Sequence, residues 1–215
     1  MKYTTILFDL DGTLTDPKIG ITSAVQYALK HYGIHVNDLD LLEPFIGPPL
    51  TDSFQEFYGF TEKDSLEAIE VYREYFRDKG LYENEVYLGI PEMLNRLHAA
   101  GHTLLVATSK PTEYAKRILV HFDLDQYFSF VGGSTFDGSR SLKADVIAHV
   151  HDDYGFDPAS TVMIGDRKHD LIGAKEFGLP AIGVSYGYGS VEELQKERPL
   201  AIVSTVAELL QILSQ

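Results

Sequence analysis

Short runs that are apolar on both faces, alternating with helical patterns, constrain this chain more than any other feature. Six short apolar, β-rich runs lie at residues 4–10, 103–108, 128–131, 161–165, 181–184 and 201–203. Four of them contain TILFDL, TLLVAT, TVMIGD and AIGV. A strand with one wet face alternates apolar and polar residues, whereas a continuous apolar run must be covered on both sides. Helical patterns are interleaved at 91–100, 111–122, 143–154, 169–177, 191–197 and 206–213. Pro91 and Pro111 suit first helical turns, and Gly101 and Gly178 suit helix ends. Repeated βαβ units imply an α/β fold: a Rossmann-like, mainly parallel sheet with helices on both faces.

The alternation breaks once. Residues 16–83 carry helical signals and no convincing strand. A helix is expected over 19–32, with Ile21, Val25, Ala28 and Leu29 on one side. Another is expected over 62–79, with Leu66, Ile69, Val71, Tyr72 and Phe76 mostly inward, and a shorter one near 52–58. Phe45-Ile46-Gly47-Pro48-Pro49-Leu50 reads as a rigid turn between them. So long a crossover is improbable as an irregular loop. The expected organisation is an α/β core of residues 1–15 and 84–215, with a small α-helical domain, 16–83, inserted after the first strand.

Charge and composition narrow the function. The chain has 18 Lys and Arg against 32 Asp and Glu, a formal net charge of −14. Long nucleic acids and anionic lipid surfaces are disfavoured partners, because both demand a basic face. A small anionic substrate remains open if a cation reverses the local field. The absence of cysteine excludes thiolate zinc sites and a thiol nucleophile. No apolar run approaches the ~20 residues of a membrane span. Met1-Lys2-Tyr3 leads directly into the first strand without a signal-peptide pattern, so a cytoplasmic location is expected.

The segment with most chemical content is Ile6-Leu7-Phe8-Asp9-Leu10-Asp11-Gly12-Thr13. A buried strand here ends in two aspartates, and ligands of open α/β sheets sit at the carboxyl ends of strands. Neighbouring carboxylates repel unless a cation joins them, and Mg²⁺ is the hard, oxygen-seeking choice. Taken alone, the segment reads equally well as a strand end with an Asp-Gly turn. Three other places add to it. Thr108 and Ser109 end another strand and offer hydroxyls to a phosphate, or a cap to the following helix. Asp166 and Asp170 in Gly165-Asp166-Arg167-Lys168-His169-Asp170 bring acids to the same sheet edge, or serve as cap and first-turn acid. Lys143 opens a helix, where a cation opposes the dipole; it reads as a group with a specific anionic partner, or as a solvated surface lysine.

In this order the segments resemble the four motifs of the haloacid dehalogenase-like (HAD) hydrolase superfamily: DLDGT at 9–13, ATSKP at 107–111, Lys143, and GDRKHD at 165–170. The likeness covers essentially the whole chain, and the helical insertion resembles that family's small cap. ENEVYLGIPEML, MIGDRKHDLIGAKEFG and GVSYGYGS look most like the phosphoglycolate phosphatase and 5′-nucleotidase-like branch. The resemblance implies a Mg²⁺-dependent phosphomonoesterase acting on a small phosphorylated metabolite through an aspartyl-phosphate. Asp9 would be the nucleophile and Asp11 the general acid and base. Thr108, Ser109, Gly12 and Lys143 would bind the phosphoryl group. Asp9, the Asp11 backbone carbonyl and Asp166 would hold the metal, with Asp170 behind them or as a weaker ligand. Asp11 separates this pattern from the dehalogenases and phosphonatases of the superfamily, which lack it. A 5′-nucleotidase is the leading form; phosphoglycolate phosphatase and phosphosugar phosphatase or phosphomutase are alternatives. A phospho-receiver or phosphate-binding module is the non-enzymatic alternative, and Asp11 and the insertion weigh against it.

Other residues take plainer readings. Gly47, Pro48 and Pro49 read equally as a substrate-facing cap loop and as a helix–helix turn. Arg140 is expected to hold its own loop and His169 to be a partly exposed helix residue. His149 and His151 do not share a helix face. Tyr186-Gly187-Tyr188-Gly189 is read most simply as a flexible turn after a strand, with a place near the active-site mouth as the further reading. The aromatic residues of the insertion are expected in its core rather than as a stacking platform.

Overall fold

The computed structural model describes residues 2–214. The chain forms two compact units, Met1–Asp16 with Val86–Gln215, and Pro17–Glu85. The first unit is built on six strands: β1 Thr5–Phe8, β2 Thr103–Pro111, β3 Phe130–Ser134, β4 Thr161–Gly165, β5 Ala181–Val184 and β6 Ala201–Val203. All pair in parallel, in the order β3-β2-β1-β4-β5-β6. The chain thus winds outward from β1 in one direction and then returns to β1's other side. A crevice opens at the carboxyl edge where that direction reverses. Phe8 lies in register with Val106 on one neighbour and Ile164 on the other. The residues just beyond, on β1, β2 and β4, therefore reach one edge together, and Asp9 N–H donates to Ile164 O at 2.9 Å.

The apolar runs become strands because both faces are covered. Ile6 and Leu7 point to opposite faces, and neither is exposed. β2 extends past its apolar run to Pro111 through a register shift between Thr108 and Pro111. The 128–131 run starts its pairing only at Phe130, because a 3₁₀ turn, Asp125–Tyr127, occupies the approach.

Pro17–Glu85 is helical: α1 Lys18–His31, a 3₁₀ segment Leu39–Phe45, α2 Leu50–Tyr58 and α3 Glu62–Tyr75, which runs on into a π-turn, Phe76–Gly80. Ile21, Ala24, Val25, Ala28 and Leu29 form the buried stripe of α1. Thr61 and Asp64 form a reciprocal capping box that starts α3. Leu66 corrects the sequence reading: it is 54% exposed. The buried face of α3 instead runs through Ser65, Ala68, Ile69 and Tyr72, on to Phe76. Phe54 is buried against Phe45, with ring centroids 5.0 Å apart, whereas Phe57 is largely exposed. Leu39–Phe45 was not anticipated; it has no apolar period and is organised by Asp38, whose carboxylate accepts from Asp40 N–H at 3.0 Å.

The flanking helices of the first unit are α4 Ile90–Ala99, α5 Thr112–His121, α6 Lys143–Tyr154, α7 Lys168–Glu176, α8 Val191–Lys196 and α9 Val206–Leu213. Val146, Ile147 and Val150 of α6 and Leu171 and Ala174 of α7 pack with Leu7, Leu105 and Met163 of the sheet in one buried cluster. Burying each large side chain contributes about 1.5–3 kcal/mol. That packing holds the first turns of α6 and α7 at the sheet edge where Asp9 emerges.

Candidate active site

The site begins with the turn that follows β1. Gly12 has φ +82°, and its N–H donates to Thr15 O at 2.7 Å. Leu14 and Thr15 N–H donate back to Leu10 O at 2.8 and 3.0 Å. A Cβ on Gly12 would lie 2.6 Å from Asp166 Cγ. Glycine therefore serves both the left-handed dihedral and the close approach of that carboxylate. Because its N–H is engaged by Thr15, Gly12 shapes the turn and leaves room for Asp166 rather than presenting a free amide.

Asp9, Asp166 and Asp170 are buried, and each contributes a carboxylate oxygen lying within 4.8 Å of the others'. Lys143, the first residue of α6, reaches into this group. Its Nζ is 2.9 Å from Asp9 Oδ1 and 2.7 Å from Asp170 Oδ1, and it donates to Ala107 O at 3.0 Å. Its anionic partners are thus two carboxylates, with a neutral carbonyl beside them. Asp170 also accepts from Arg167 N–H at 3.0 Å through Oδ2, so it caps α7 while it faces Lys143. Asp166 accepts from Thr13 Oγ1 at 3.3 Å and from Tyr188 N–H at 2.8 Å.

Asp11 has a partner that sequence reasoning missed. Lys110 Nζ lies 2.8 Å from Asp11 Oδ2, and both side chains are nearly buried. Lys110 stands inside the ATSKP run, so its position was visible; its pairing depends on β1 and β2 being neighbours, which periodicity does not report. Thr108 is buried and accepts from Lys110 N–H at 3.2 Å. It does not cap α5, whose N-terminus has no side-chain cap. Ser109 is half-buried beside it.

Burial governs the electrostatics. It raises the Asp166 carboxyl well above the ordinary range, and the charges of Asp170 and Asp9 push it further. It raises Asp170 despite the opposing Lys143 ammonium. It raises Asp11 against the pull of Lys110. For Lys143, burial works downward, but the charges of Asp170 and Asp9 more than offset it, and the ammonium is held above its usual value. These directions describe a pocket with too much negative charge. Four buried carboxylates face two ammonium groups, which leaves two negative charges when all are ionised.

A divalent cation fits that excess. Among the described residues, Asp9 Oδ1 and Asp11 Oδ1 are buried with no hydrogen-bond partner. Asp9 Oδ1 does face Lys143 as an ion pair, without a well-aligned donor. Hard carboxylate oxygens of this kind suit Mg²⁺.

The remaining residues are dispersed. Arg140 donates from Nε to Gly133 O at 2.9 Å and holds its own loop. His149 and His151 face Asp153 and Asp152 separately, at 3.6 and 3.5 Å. His169 is half-buried, and burial together with Arg167 and Lys168 lowers its pKa. Tyr186-Gly187-Tyr188-Gly189 follows β5 and lies beside Asp166. Tyr186 Oη donates to Thr13 O at 3.0 Å, and the segment packs directly on Asp166.

The sequence profile of the family described as haloacid dehalogenase-like hydrolase matches residues 6–184. The chain belongs to this family. It is an HAD hydrolase and therefore an enzyme, with phosphatase-named relatives along its length. It is 50% identical over 213 residues to a protein of Pseudomonas aeruginosa named 5′-nucleotidase, covering 99% of this chain and 96% of that one. It is 39% identical over 210 residues to a Mycobacterium tuberculosis protein named tyrosine-protein kinase PtkA, covering 97% of this chain and 72% of that one. Its fold superimposes on the crystal structure of a predicted phosphatase from Clostridium acetobutylicum with TM-score 0.96 and 48% identity, covering 99% of both chains. Among the described residues, no helix is long and apolar enough to cross a membrane.

Proposed function

We propose that this HAD hydrolase is a Mg²⁺-dependent phosphomonoesterase that cleaves a small phosphorylated metabolite through an aspartyl-phosphate on Asp9. The observation that carries this reading is the buried cluster of Asp9, Asp166, Asp170 and Lys143 at the sheet's switch point, with the Asp11–Lys110 pair beside it. Asp9, the Asp11 backbone carbonyl and Asp166 would hold Mg²⁺, with Asp170 supporting them. The ion would supply the missing positive charge and shield a phosphoryl group from the surrounding acids.

In the first step an Asp9 carboxylate oxygen attacks phosphorus. The new O–P bond forms as the ester O–P bond breaks, and Asp11 gives its proton to the departing alkoxide. In the second step Asp11 takes a proton from water, whose oxygen attacks phosphorus and releases Asp9 and inorganic phosphate. Burial keeps the Asp11 carboxyl raised, in the direction an acid needs. Thr108 and Ser109 hydroxyls donate to phosphoryl oxygens. Lys143 fixes the Asp9 carboxylate and balances charge as it spreads over the phosphoryl group.

The leading substrate class is a nucleoside 5′-monophosphate, supported by the relative of 50% identity named 5′-nucleotidase. Hydrolysis of an aryl phosphate with Mg²⁺ and with EDTA tests the reaction; turnover that survives EDTA ends the metal assignment. Ranking kcat/KM over nucleoside monophosphates, phosphoglycolate and sugar phosphates tests the substrate. The kinase-named relative raises a second acceptor, a tyrosyl hydroxyl in place of water. Phosphoryl transfer to a tyrosyl peptide in preference to water would replace the hydrolytic reading.

A further inference from the structure

The loop after β5 contacts the catalytic edge more closely than a connecting turn requires. Tyr188 N–H donates to Asp166 Oδ2 at 2.8 Å. A Cβ on Gly187 would lie 2.5 Å from Asp166 Cβ and collide with the Gly12 carbonyl. A Cβ on Gly189 would collide with the Asp166 carbonyl. Neither glycine has a positive φ, so the requirement is space, not dihedral freedom. The loop is also pinned by its side chains. Tyr186 Oη donates to Thr13 O at 3.0 Å, and Tyr188 Oη donates to Asp16 Oδ1. The Tyr87 ring packs edge-on against Tyr186, with centroids 5.1 Å apart.

Thr13, in turn, donates to Asp166 Oδ1. Both Asp166 oxygens are therefore held by donors that this loop touches or supplies. A buried carboxylate among like charges would otherwise rotate or withdraw to relieve repulsion, and burial makes that repulsion large.

We propose that Tyr186–Gly189 is a positioning loop that presses Asp166 into ligand geometry for a divalent cation, with the two glycines setting the approach and the two tyrosine hydroxyls fixing the loop. The proposal rests on the reading of Asp166 as a metal ligand. Tyr186 and Tyr188 act through Asp166 and Thr13, so they are positioning residues.

The test is calorimetric titration of the metal-free protein with MgCl₂, without substrate, on wild type, G187A and the double variant Y186F/Y188F. Circular dichroism and thermal unfolding of the metal-free proteins establish which variants are folded. Loss of partners that orient metal ligands typically weakens metal binding by about 10–100-fold. G187A is expected in the upper part of that range, and Y186F/Y188F near its lower end, with folded metal-free protein. Raised Mg²⁺ should restore most of kcat in Y186F/Y188F, a rescue that a general structural defect would not show. If G187A does not fold, the double variant decides by itself. Folded variants that bind Mg²⁺ within twofold of wild type overturn the positioning role while leaving the metal assignment standing. Wild type that binds no Mg²⁺ overturns both.

Discussion

Replacing Lys143 by Met isolates the electrostatic design of the site. The ammonium lies 2.7 Å from Asp170 Oδ1 and 2.9 Å from Asp9 Oδ1, and its side chain is 2% exposed. At an effective dielectric of about 20, each contact is worth roughly 6 kcal/mol before desolvation is counted. The net loss is smaller, because the ammonium no longer has to be desolvated and the stranded acids can take up a proton. A carboxyl of ordinary pKa costs about 5 kcal/mol to protonate at pH 7.5 and about 2 kcal/mol at pH 5.5. Lys143→Met should therefore lose up to about 5 kcal/mol of stability at pH 7.5, within the usual range for stranding a buried ion, and up to about 2 kcal/mol at pH 5.5, less what burial already costs Asp170 in wild type. For a chain of this size that is a drop in Tm of roughly 10–20 °C at the higher pH and 4–8 °C at the lower.

The sign follows from the acids. Without Lys143, the folded pKa of Asp170, already raised by burial, lies further above its unfolded value, so the variant weakens as pH rises. In wild type, the raised pKa of Lys143 keeps its ammonium charged across this window. Thermal unfolding of both proteins in metal-free buffer at the two pH values measures the gap. A gap that is the same at both would refute the account, because it would mean that lost packing and not stranded charge sets the cost.

Further predictions follow from single side chains. Asp9→Asn should abolish aryl phosphate turnover while circular dichroism and the melting curve stay native-like; a rate near that of wild type would exclude Asp9 as nucleophile. Asp11→Asn should lower kcat by about 10²–10⁴-fold, the usual worth of general acid–base catalysis, and trap phosphorylated protein detectable by intact mass; unchanged kinetics would remove that role. His102 is buried just before β2, and burial holds its pKa below the ordinary value. The unfolded chain takes up that proton near pH ~6.5 and the folded chain resists it, so this group withdraws stability as pH falls. His102→Leu should flatten the decline in denaturation midpoint between pH 7 and 5, and an unchanged slope would show that His102 does not drive it.

The fold was legible in unequal parts. β4, β5 and β6 coincide with the expected runs, because strands covered on both faces carry a signal complete within a few residues. α6 likewise begins and ends where its pattern does. Leu66 misled because an apolar residue near a helix start reads as inward, while small residues such as Ser65 and Ala68 fill the actual contact. The site was legible as a set of residue types at strand ends. Its ion pairing was not, since Asp11 with Lys110, and Lys143 with Asp9 and Asp170, join distant parts of the chain.

The amino-acid sequence alone determined which segments must be buried strands, that acids, hydroxyls and a lysine stand where those strands end, and that the whole is strongly acidic. Those properties are local, because side-chain polarity and period are written residue by residue. Tertiary structure alone decided which end meets which. Parallel order placed β2 and β4 on either side of β1, which gave Asp11 its Lys110 and set Asp166 against Gly12. It also turned Tyr186–Gly189 from an apparent loose turn into a support for Asp166, since only packing can reveal how little room a glycine has.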